Sequence, residues 1–221
     1  KTAYEIRPRD WSSDVCSSDL AYHYFRIFDS FNHAFAGPTN NPYAYNVGYR
    51  YVDWLLTVPL LLVETVAVLA IGRMAQQKLL RSLVPAAAAM IVLGYPGDAR
   101  LDLFGISAPV WGALSTIPFL YILYILFVEL GKSLERQSDQ VRATVKNLRI
   151  LLIATWGVYP ITFILAMNAT GFDPAALVSR EIGYSIADVL AKCAYGLLIF
   201  KIARMKSAED SKEFAESEFR D

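Results

Sequence analysis

The chain has 221 residues, 55% of them hydrophobic, and its 21 lysines and arginines balance 21 aspartates and glutamates. This composition excludes an intrinsically disordered chain, and the balanced charge argues against a nucleic-acid-binding protein. The positive mean hydropathy of +0.33 indicates a membrane protein.

Residues 1–20 differ in character from the rest of the chain. They are polar, repeat Ser-Ser-Asp at 12–14 and 17–19, and lack the apolar core of a targeting peptide. The segment resembles a translated sequencing adapter, so we expect it to be a non-native leader. Residues 21–205 are then expected to form a membrane domain, and residues 206–221 a charged tail.

Apolar segments follow, and each is predicted to span, or partly span, a membrane core about 30 Å thick. In chain order these segments cover residues 21–35, 47–71, 82–95, 106–128, 150–167 and 181–203. Polar or turn-forming residues connect them, at 37–49, 72–81, 95–98 and 129–149. Pro59 lies inside an apolar segment, where a membrane helix tolerates it as a kink.

Lysine and arginine are unevenly distributed among the connections. They concentrate in residues 72–81, in residues 129–149 and in the C-terminal tail, whereas the connections on the other side carry Arg100 and Arg180. Because positively charged loops favour the cytoplasmic side, we expect a multi-pass protein with a cytoplasmic C-terminus.

The segment that follows residue 47 carries its polar groups on one face. A helix turns about 100° per residue, so Asp53, Thr57 and Glu64 fall near one line, and Arg50 lies one turn before Asp53. A carboxylate inside a membrane costs roughly 2.5 to 3.5 kcal/mol on insertion scales and therefore indicates an ion path, a proton path or a counter-ion. The alternative is a structural buried acid.

The last apolar segment supplies a cation. Lys192 follows Asp188 by four residues and so lies about one helical turn beyond it. Together with Arg50 and Asp53 these groups sum to zero charge, the arrangement that a low-dielectric interior favours. A lysine this far from either end of an apolar segment is expected to be functional, although a snorkelling or paired lysine is the alternative.

Residues 50–64 and 184–200 resemble segments of the microbial (type 1) rhodopsins, and among them the proteorhodopsin and xanthorhodopsin-like proton pumps. The resemblance covers roughly residues 21–205. It implies an all-α integral membrane bundle of the seven-helix type in the bacterial inner membrane. In this interpretation the first helix and part of the second are missing.

The resemblance implies roles for the ionisable residues. Lys192 corresponds to the lysine that forms a Schiff base with all-trans retinal, a role that suits a desolvated amine. Asp53 corresponds to the proton acceptor and counter-ion, and Asp188 to a second counter-ion. Glu64 corresponds to the proton donor on the cytoplasmic side.

Three positions imply the identity of the transported ion. Sodium pumps of the family carry Asn, Asp and Gln where this chain has Asp53, Thr57 and Glu64, and chloride pumps lack the acceptor acid. The resemblance therefore implies a light-driven outward proton pump, a transporter and not an enzyme. Arg50 belongs to the same polar site, and His23 corresponds to the histidine that hydrogen-bonds the acceptor aspartate.

The residues implied to surround retinal are mostly aromatic. They are Trp54, Leu61, Trp111, Trp156, Tyr159, Pro160 and Phe163. Leu61 corresponds to the colour-tuning position, where leucine accompanies green absorption. Phe127 corresponds to the position at which carotenoid-binding relatives have glycine, so a carotenoid antenna is not expected.

Other partners and functions follow from the same interpretation. Cys16 and Cys193 lie far apart and suggest neither a disulfide framework nor a metal site. Relatives form oligomers, so a homo-oligomer in the lipid bilayer is expected. Two alternative functions remain open: a photosensor, against which Glu64 argues, and a non-functional fragment.

Overall fold

The computed structural model describes residues 12–35, 45–69, 71–167 and 174–210, and helices account for nearly all of them. Within these ranges the β pairing is a single isolated bridge between Leu103 and Ile106. The helices are α1 (Ser12–Phe35), α2 (Gly48–Val68), α3 (Arg73–Asp98), α4 (Ala108–Ser133), α5 (Asp139–Trp156), α6 (Val158–Met167), α7 (Pro174–Asp188) and α8 (Tyr195–Asp210). A 3-10 turn, Leu134–Arg136, follows α4, and a π-helical segment, Val189–Ala194, joins α7 to α8.

Local sequence explains several helix boundaries. Ser138 caps α5, and its hydroxyl accepts a hydrogen bond from the Val141 backbone N–H at 3.4 Å. Pro59 and Pro118 lie inside α2 and α4, where each removes one backbone donor without ending the helix. Gly157 separates α5 from α6, and its backbone N–H still bonds to the carbonyl of Ile153 at 3.0 Å.

Two predicted connections are wrong because both belong to α3. Residues 72–81 were expected to form a polar connection, but the helix begins at Arg73, since lysine, arginine and glutamine are good helix formers in an exposed first turn. Tyr95–Asp98 was expected to be a turn, but the helix continues through Asp98. The carboxylate of Asp98 bonds to Arg180 of a distant helix, so its side chain is not used for a local turn.

Other boundaries also differ from the predicted spans. Helix α1 begins at Ser12, so residues 12–20 continue the helix that was expected from residue 21. The helical run from Pro174 to Asp210 is longer than the predicted span 181–203 and includes Arg180, which was expected in a connection. Most of the predicted connection 37–49 lies outside the described residues.

The helices bring residues that are distant in the chain together at two ends of the bundle, with α6 continuing α5 and α8 continuing α7. At the end that we call the Arg50 end, the start of α2 meets the end of α3 and the first part of α7. At the opposite end, called the Glu64 end, Lys206 of α8 donates a hydrogen bond to the carbonyl of Val68 at 3.1 Å. A large apolar cluster fills the Glu64 half, including Leu62, Leu126 and Leu148.

The outer faces of the bundle are apolar. On α4, Ile117 is 67% exposed and Tyr124 is 66% exposed. In the part of the chain that the structure describes, four helical segments are long and apolar enough to cross a membrane, Gly48–Val68, Arg73–Asp98, Ala108–Arg136 and Asp139–Ile164. Exposed apolar faces on helices of this length are stable in lipid and unfavourable in water. The fold is therefore a helical membrane bundle.

Candidate functional site

Lys192 lies at the centre of the site, on the π-helical segment, and is 7% exposed. Its Nζ directly contacts Oδ2 of Asp53 on α2, and Oδ1 of Asp188 lies 3.6 Å away. The two aspartates are 1% and 0% exposed, respectively. The structure thus brings together one buried amine and two buried carboxylates from segments more than a hundred residues apart in the chain.

Asp188 accepts hydrogen bonds from several helices. Its Oδ1 accepts from Trp54 Nε1 at 2.9 Å and from the Tyr159 hydroxyl at 2.6 Å. Its Oδ2 accepts from the Tyr24 hydroxyl at 2.7 Å and from Arg50 Nη1 at 3.1 Å. A carboxylate with this many donors is held in one orientation.

Asp53 is less completely bonded. Its Oδ1 is buried without a hydrogen-bond partner among the described residues, and Nδ1 of His23 lies 4.0 Å from it. Thr57 does not reach the carboxylate, because its hydroxyl donates to the backbone carbonyl of Asp53 at 2.8 Å. One oxygen of Asp53 therefore faces the lysine, and the other retains acceptor capacity on the side of His23.

Beyond Arg50 lies a second group of charged residues, and the sequence did not predict that Asp98, Arg180 and Glu181 belong to it. Arg50 Nη2 donates to Oε2 of Glu181 at 2.7 Å. Arg180 contacts Asp98 and, at 3.1 Å, Oε1 of Glu181. All four of these residues are buried. We call these four residues, Arg50, Asp98, Arg180 and Glu181, the Arg50 cluster.

A tyrosine from the preceding connection completes the contacts of this cluster. The hydroxyl of Tyr45 donates to Oε2 of Glu181 at 2.6 Å. Burial, together with the adjacent Glu181 carboxylate, raises the pKa of Tyr45, so it remains a neutral donor. Sequence spacing could have indicated Glu181, because it precedes Asp188 by seven residues and so lies on the same helical face.

An apolar cavity of about 470 Å³ adjoins Lys192. Most residues that were predicted to surround a cofactor line it: Trp54, Leu61, Trp156, Tyr159, Pro160, Phe163 and Lys192. The ring of Trp54 meets those of Tyr159 and Tyr184 edge-on, with centroids 5.2 Å apart in both cases. Aromatic side chains in such contacts make a rigid wall.

Trp111, which was predicted to surround the cofactor, does not line the cavity, and Phe127, which was considered only as the carotenoid position, does not line it either. Trp111 is buried beside α3, and its neighbour Gly112 lines the cavity against Phe163 instead. Phe127 is 40% exposed and lies under the guanidinium of Arg149, 3.9 Å from ring centroid to Cζ. The position of Phe127 therefore gives no information about the wall of this cavity.

Glu64 is separated from the lysine. It is half-buried toward the far end of α2, eleven residues and about 16 Å by helical rise from Asp53. The intervening region is filled mainly by the apolar cluster of the Glu64 half. The site thus has a charged half toward Arg50 and a mainly apolar half toward Glu64.

Comparison with known proteins places this arrangement in a family. The family model for bacteriorhodopsin-like proteins matches residues 15–205. Among solved structures, the chain resembles xanthorhodopsin, described as a light-driven ion pump with dual chromophore. The two chains are 46% identical with a TM-score of 0.77, over 89% of this chain and 79% of that one.

Two curated relatives agree with this match. The green-light absorbing proteorhodopsin of Gamma-proteobacterium EBAC31A08 is 31% identical over 166 residues, which is 72% of this chain and 62% of the relative. The bacteriorhodopsin of Halobacterium salinarum is 34% identical over 152 residues, 69% of this chain and 55% of the relative. This chain spans less than two thirds of the length of either relative. The family match covers most of the chain and the fold agrees over the same bundle, so the chain belongs to the bacteriorhodopsin-like proteins.

Proposed function

We propose that this chain is a light-driven outward proton pump whose chromophore is retinal, bound covalently at Lys192. The observation that carries the proposal is the contact between Lys192 Nζ and Asp53 Oδ2 at the end of an aromatic-lined cavity. An amine in contact with a buried acid is a ready pair for proton exchange.

The cavity residues fit a polyene cofactor. Small-molecule pockets typically enclose about 300 to 1,000 Å³ and are mainly apolar, and the cavity of about 470 Å³ lies in this range. Its wall is mostly apolar and aromatic, with Lys192 as an amine able to hold an aldehyde group. Trp54, Trp156 and Tyr159 would hold the polyene of the cofactor with their rings.

Retinal, when bound, supplies the absorption of visible light and a change of shape that moves the lysine nitrogen. The rest of the chemistry belongs to this chain. Asp53 accepts the proton from the nitrogen of Lys192, because its carboxylate is in direct contact with that nitrogen. Asp188, held by Trp54, Tyr159 and other donors, stays ionised and balances the positive charge.

The return of the proton is assigned to Glu64. It lies on the same helix as Asp53 but on the opposite side of Lys192, so a proton taken from Glu64 and one given to Asp53 move in one direction along α2. A carboxylic acid that is partly buried at the end of an apolar region favours its protonated form. An acid at both the acceptor and the donor position supports proton transport rather than transport of sodium or chloride.

The proposed direction is toward the Arg50 end. Lysine and arginine are concentrated near the Glu64 end, where the last turn of α4, the 3-10 turn and the first turn of α5 carry Lys132, Arg136 and Arg142, respectively. This distribution supports a cytoplasmic Glu64 end and an outer Arg50 cluster, and transport from Glu64 to Asp53 is then outward.

The direct test is a light-induced pH change in a suspension of cells that express the chain and are supplied with retinal. We expect illumination to acidify the medium and a protonophore to abolish the change. Visible absorption without acidification would contradict pumping and favour a photosensor. A chain that forms no visible pigment would contradict the assignment of retinal to Lys192.

Variants separate the proposed roles. Lys192→Ala is expected to abolish the visible pigment, because no amine remains to hold the aldehyde. Asp53→Asn is expected to retain the pigment and lose acidification, since the amide cannot accept the proton.

Glu64→Gln is expected to slow the return of the proton to Lys192 by a factor of roughly 10² or more. An unchanged rate would remove Glu64 as the donor.

A further inference from the structure

Two hydroxyl groups meet in the apolar Glu64 half of the bundle. The Oγ1 of Thr65 on α2 lies 3.0 Å from the hydroxyl of Tyr195 at the start of α8. Thr65 is 1% exposed and Tyr195 is 0% exposed. Their neighbourhood includes the buried side chains of Leu61 and Leu62, so this is a polar contact inside an apolar cluster.

The direction of the hydrogen bond follows from counting donors. Oγ1 of Thr65 is 2.7 Å from the backbone carbonyl of Leu61, to which it donates its single proton. The proton of the Tyr195 hydroxyl must therefore be the one that bonds to Thr65. The tyrosine oxygen then keeps a lone pair that can accept another hydrogen bond.

The hydrogen bond joins the helical turn that follows Lys192 to the level of Glu64 on α2. Tyr195 follows Lys192 by three residues, and Leu61, whose carbonyl Thr65 binds, lines the cavity. Glu64 is adjacent to Thr65 in the chain, so the threonine joins Tyr195 to α2 one residue from Glu64. Lys192 contacts Asp53, and Asp53 and Glu64 are about 16 Å apart along the helix. This is several times the length of a hydrogen bond, so a direct proton transfer from Glu64 to Lys192 is excluded.

We propose that Tyr195 and Thr65 are positioning residues for the return of the proton from Glu64 to Lys192. This inference rests on the proposed pump function. Thr65 fixes the tyrosine hydroxyl to α2, and the open lone pair of Tyr195 gives the proton path an ordered acceptor within the apolar region. Water that enters from the Glu64 end is thereby directed toward Lys192 and not toward the surrounding leucines.

A purely structural clamp between α2 and α8 predicts a different outcome. Such a clamp would affect the thermal stability of the bundle but not the rate or the pH dependence of proton return. The test therefore measures kinetics in the intact chain with retinal in lipid vesicles. Flash illumination starts the cycle, and the recovery of visible absorption reports the return of the proton to the lysine nitrogen.

Tyr195→Phe is expected to slow this recovery by about tenfold, less than the roughly 10²-fold loss expected for a group that itself transfers the proton. The rate of the first transfer, to Asp53, and the absorption maximum should not change. The slowed recovery should depend on bulk pH and should be accelerated by azide, a small permeant acid. The matched control is Tyr124→Phe, at an exposed tyrosine of α4.

Substitutions of the threonine test the pair as a unit. Thr65→Val is expected to give the same slow recovery as Tyr195→Phe, and the double variant should be no slower than either single variant. Thr65→Ser keeps the hydroxyl and should restore the normal rate. If Tyr195→Phe fails to fold, Thr65→Val compared with Thr65→Ser tests the same pair.

The possible outcomes separate this inference from the pump function. If the unmodified chain pumps and both hydroxyl deletions recover at the normal rate, the inference is wrong and the pair is a structural clamp. If the unmodified chain forms pigment but moves no protons, the proposed function is overturned together with this inference.

Discussion

At the scale of single residues, Asp188 has the densest set of contacts in the described part of the site. It pairs with Arg50 and Lys192 and accepts bonds from three aromatic side chains, while being fully buried. A buried charge is tolerated only when its partners replace the hydration that it has lost. Asp188 therefore orients α2, α6 and the π-helical segment around one carboxylate.

Asp188→Asn is predicted to be strongly destabilising. An amide keeps the shape but directs a donor toward groups that are themselves donors, and it leaves Arg50 with fewer negative partners. Breaking a buried pair costs about 3 to 5 kcal/mol, which corresponds to a loss of about 10 °C in the midpoint of thermal unfolding. Helical circular dichroism of the chain in lipid, without retinal, measures this midpoint.

The control for this prediction is Asp102→Asn, at an exposed position between α3 and α4. An exposed carboxylate contributes little, so the midpoint of the control should remain within about 2 °C of the unmodified chain. Equal midpoints for the two variants would contradict the stabilising role of Asp188.

At the scale of helices, the packing of α6 against α7 depends on a glycine. A Cβ added at Gly183 would overlap the Cγ2 methyl of Thr162. That methyl cannot rotate away freely, because the threonine hydroxyl donates to the carbonyl of Val158 at 2.7 Å. The close approach of these two helices therefore requires both the missing side chain and the fixed threonine.

Gly183→Ala is predicted to lower the stability of the bundle by about 1 to 3 kcal/mol through overpacking, in spite of the higher helix propensity of alanine. The second substitution Thr162→Ser removes the methyl, keeps the hydroxyl, and should restore most of the loss. Thermal unfolding of the two single variants and the double variant measures the coupling. Gly196→Ala, where an added Cβ has no atom within 4 Å, is the matched control and should be neutral or stabilising.

The π-helical segment, Val189–Ala194, shows how one element affects the site. It contains Lys192, and the backbone N–H of Tyr195 at its end bonds to the carbonyls of both Leu190 and Lys192. The wider turn changes the angular spacing on either side of the lysine, and such segments occur frequently at functional sites. An ideal α-helical wheel drawn through Asp188 and Lys192 therefore does not give the true direction of Tyr195.

At the scale of the whole molecule, the charges divide the bundle into two unlike ends. The Arg50 end contains a buried, mutually paired cluster of charges. The Glu64 end carries exposed basic residues, among them Lys132, which pairs with Glu129 three residues before it. Buried pairs do not determine orientation in a membrane, whereas exposed basic residues do.

This asymmetry predicts the orientation in the cell. In a background with Cys16→Ser and Cys193→Ser, a cysteine placed at exposed Asp102 should react with a membrane-impermeant maleimide in intact cells. A cysteine placed at exposed Lys146, near the other end of the bundle, should react only after the membrane is opened. The reverse pattern would invert the proposed direction of transport.

The sequence by itself determined the features that depend on the period of one helix. Asp53, Thr57 and Glu64 share a face of α2, and Asp188 lies one turn from Lys192, because residues three or four apart are neighbours in any helix. The long apolar segments likewise indicated a membrane bundle before any packing was known.

Only the tertiary structure decided which residues meet across helices. Asp98 and Arg180 are 82 residues apart, and Tyr24 and Asp188 are 164 apart. Local period carries no information about such pairs. For the same reason, Asp98 looked like part of a turn and Arg180 like a loop cation, although both are buried together. Long-range ion pairing in a low-dielectric interior outweighed the local preference of these residues. The packing of α2 against α8 likewise brought Thr65 and Tyr195 into contact, which no local period predicts.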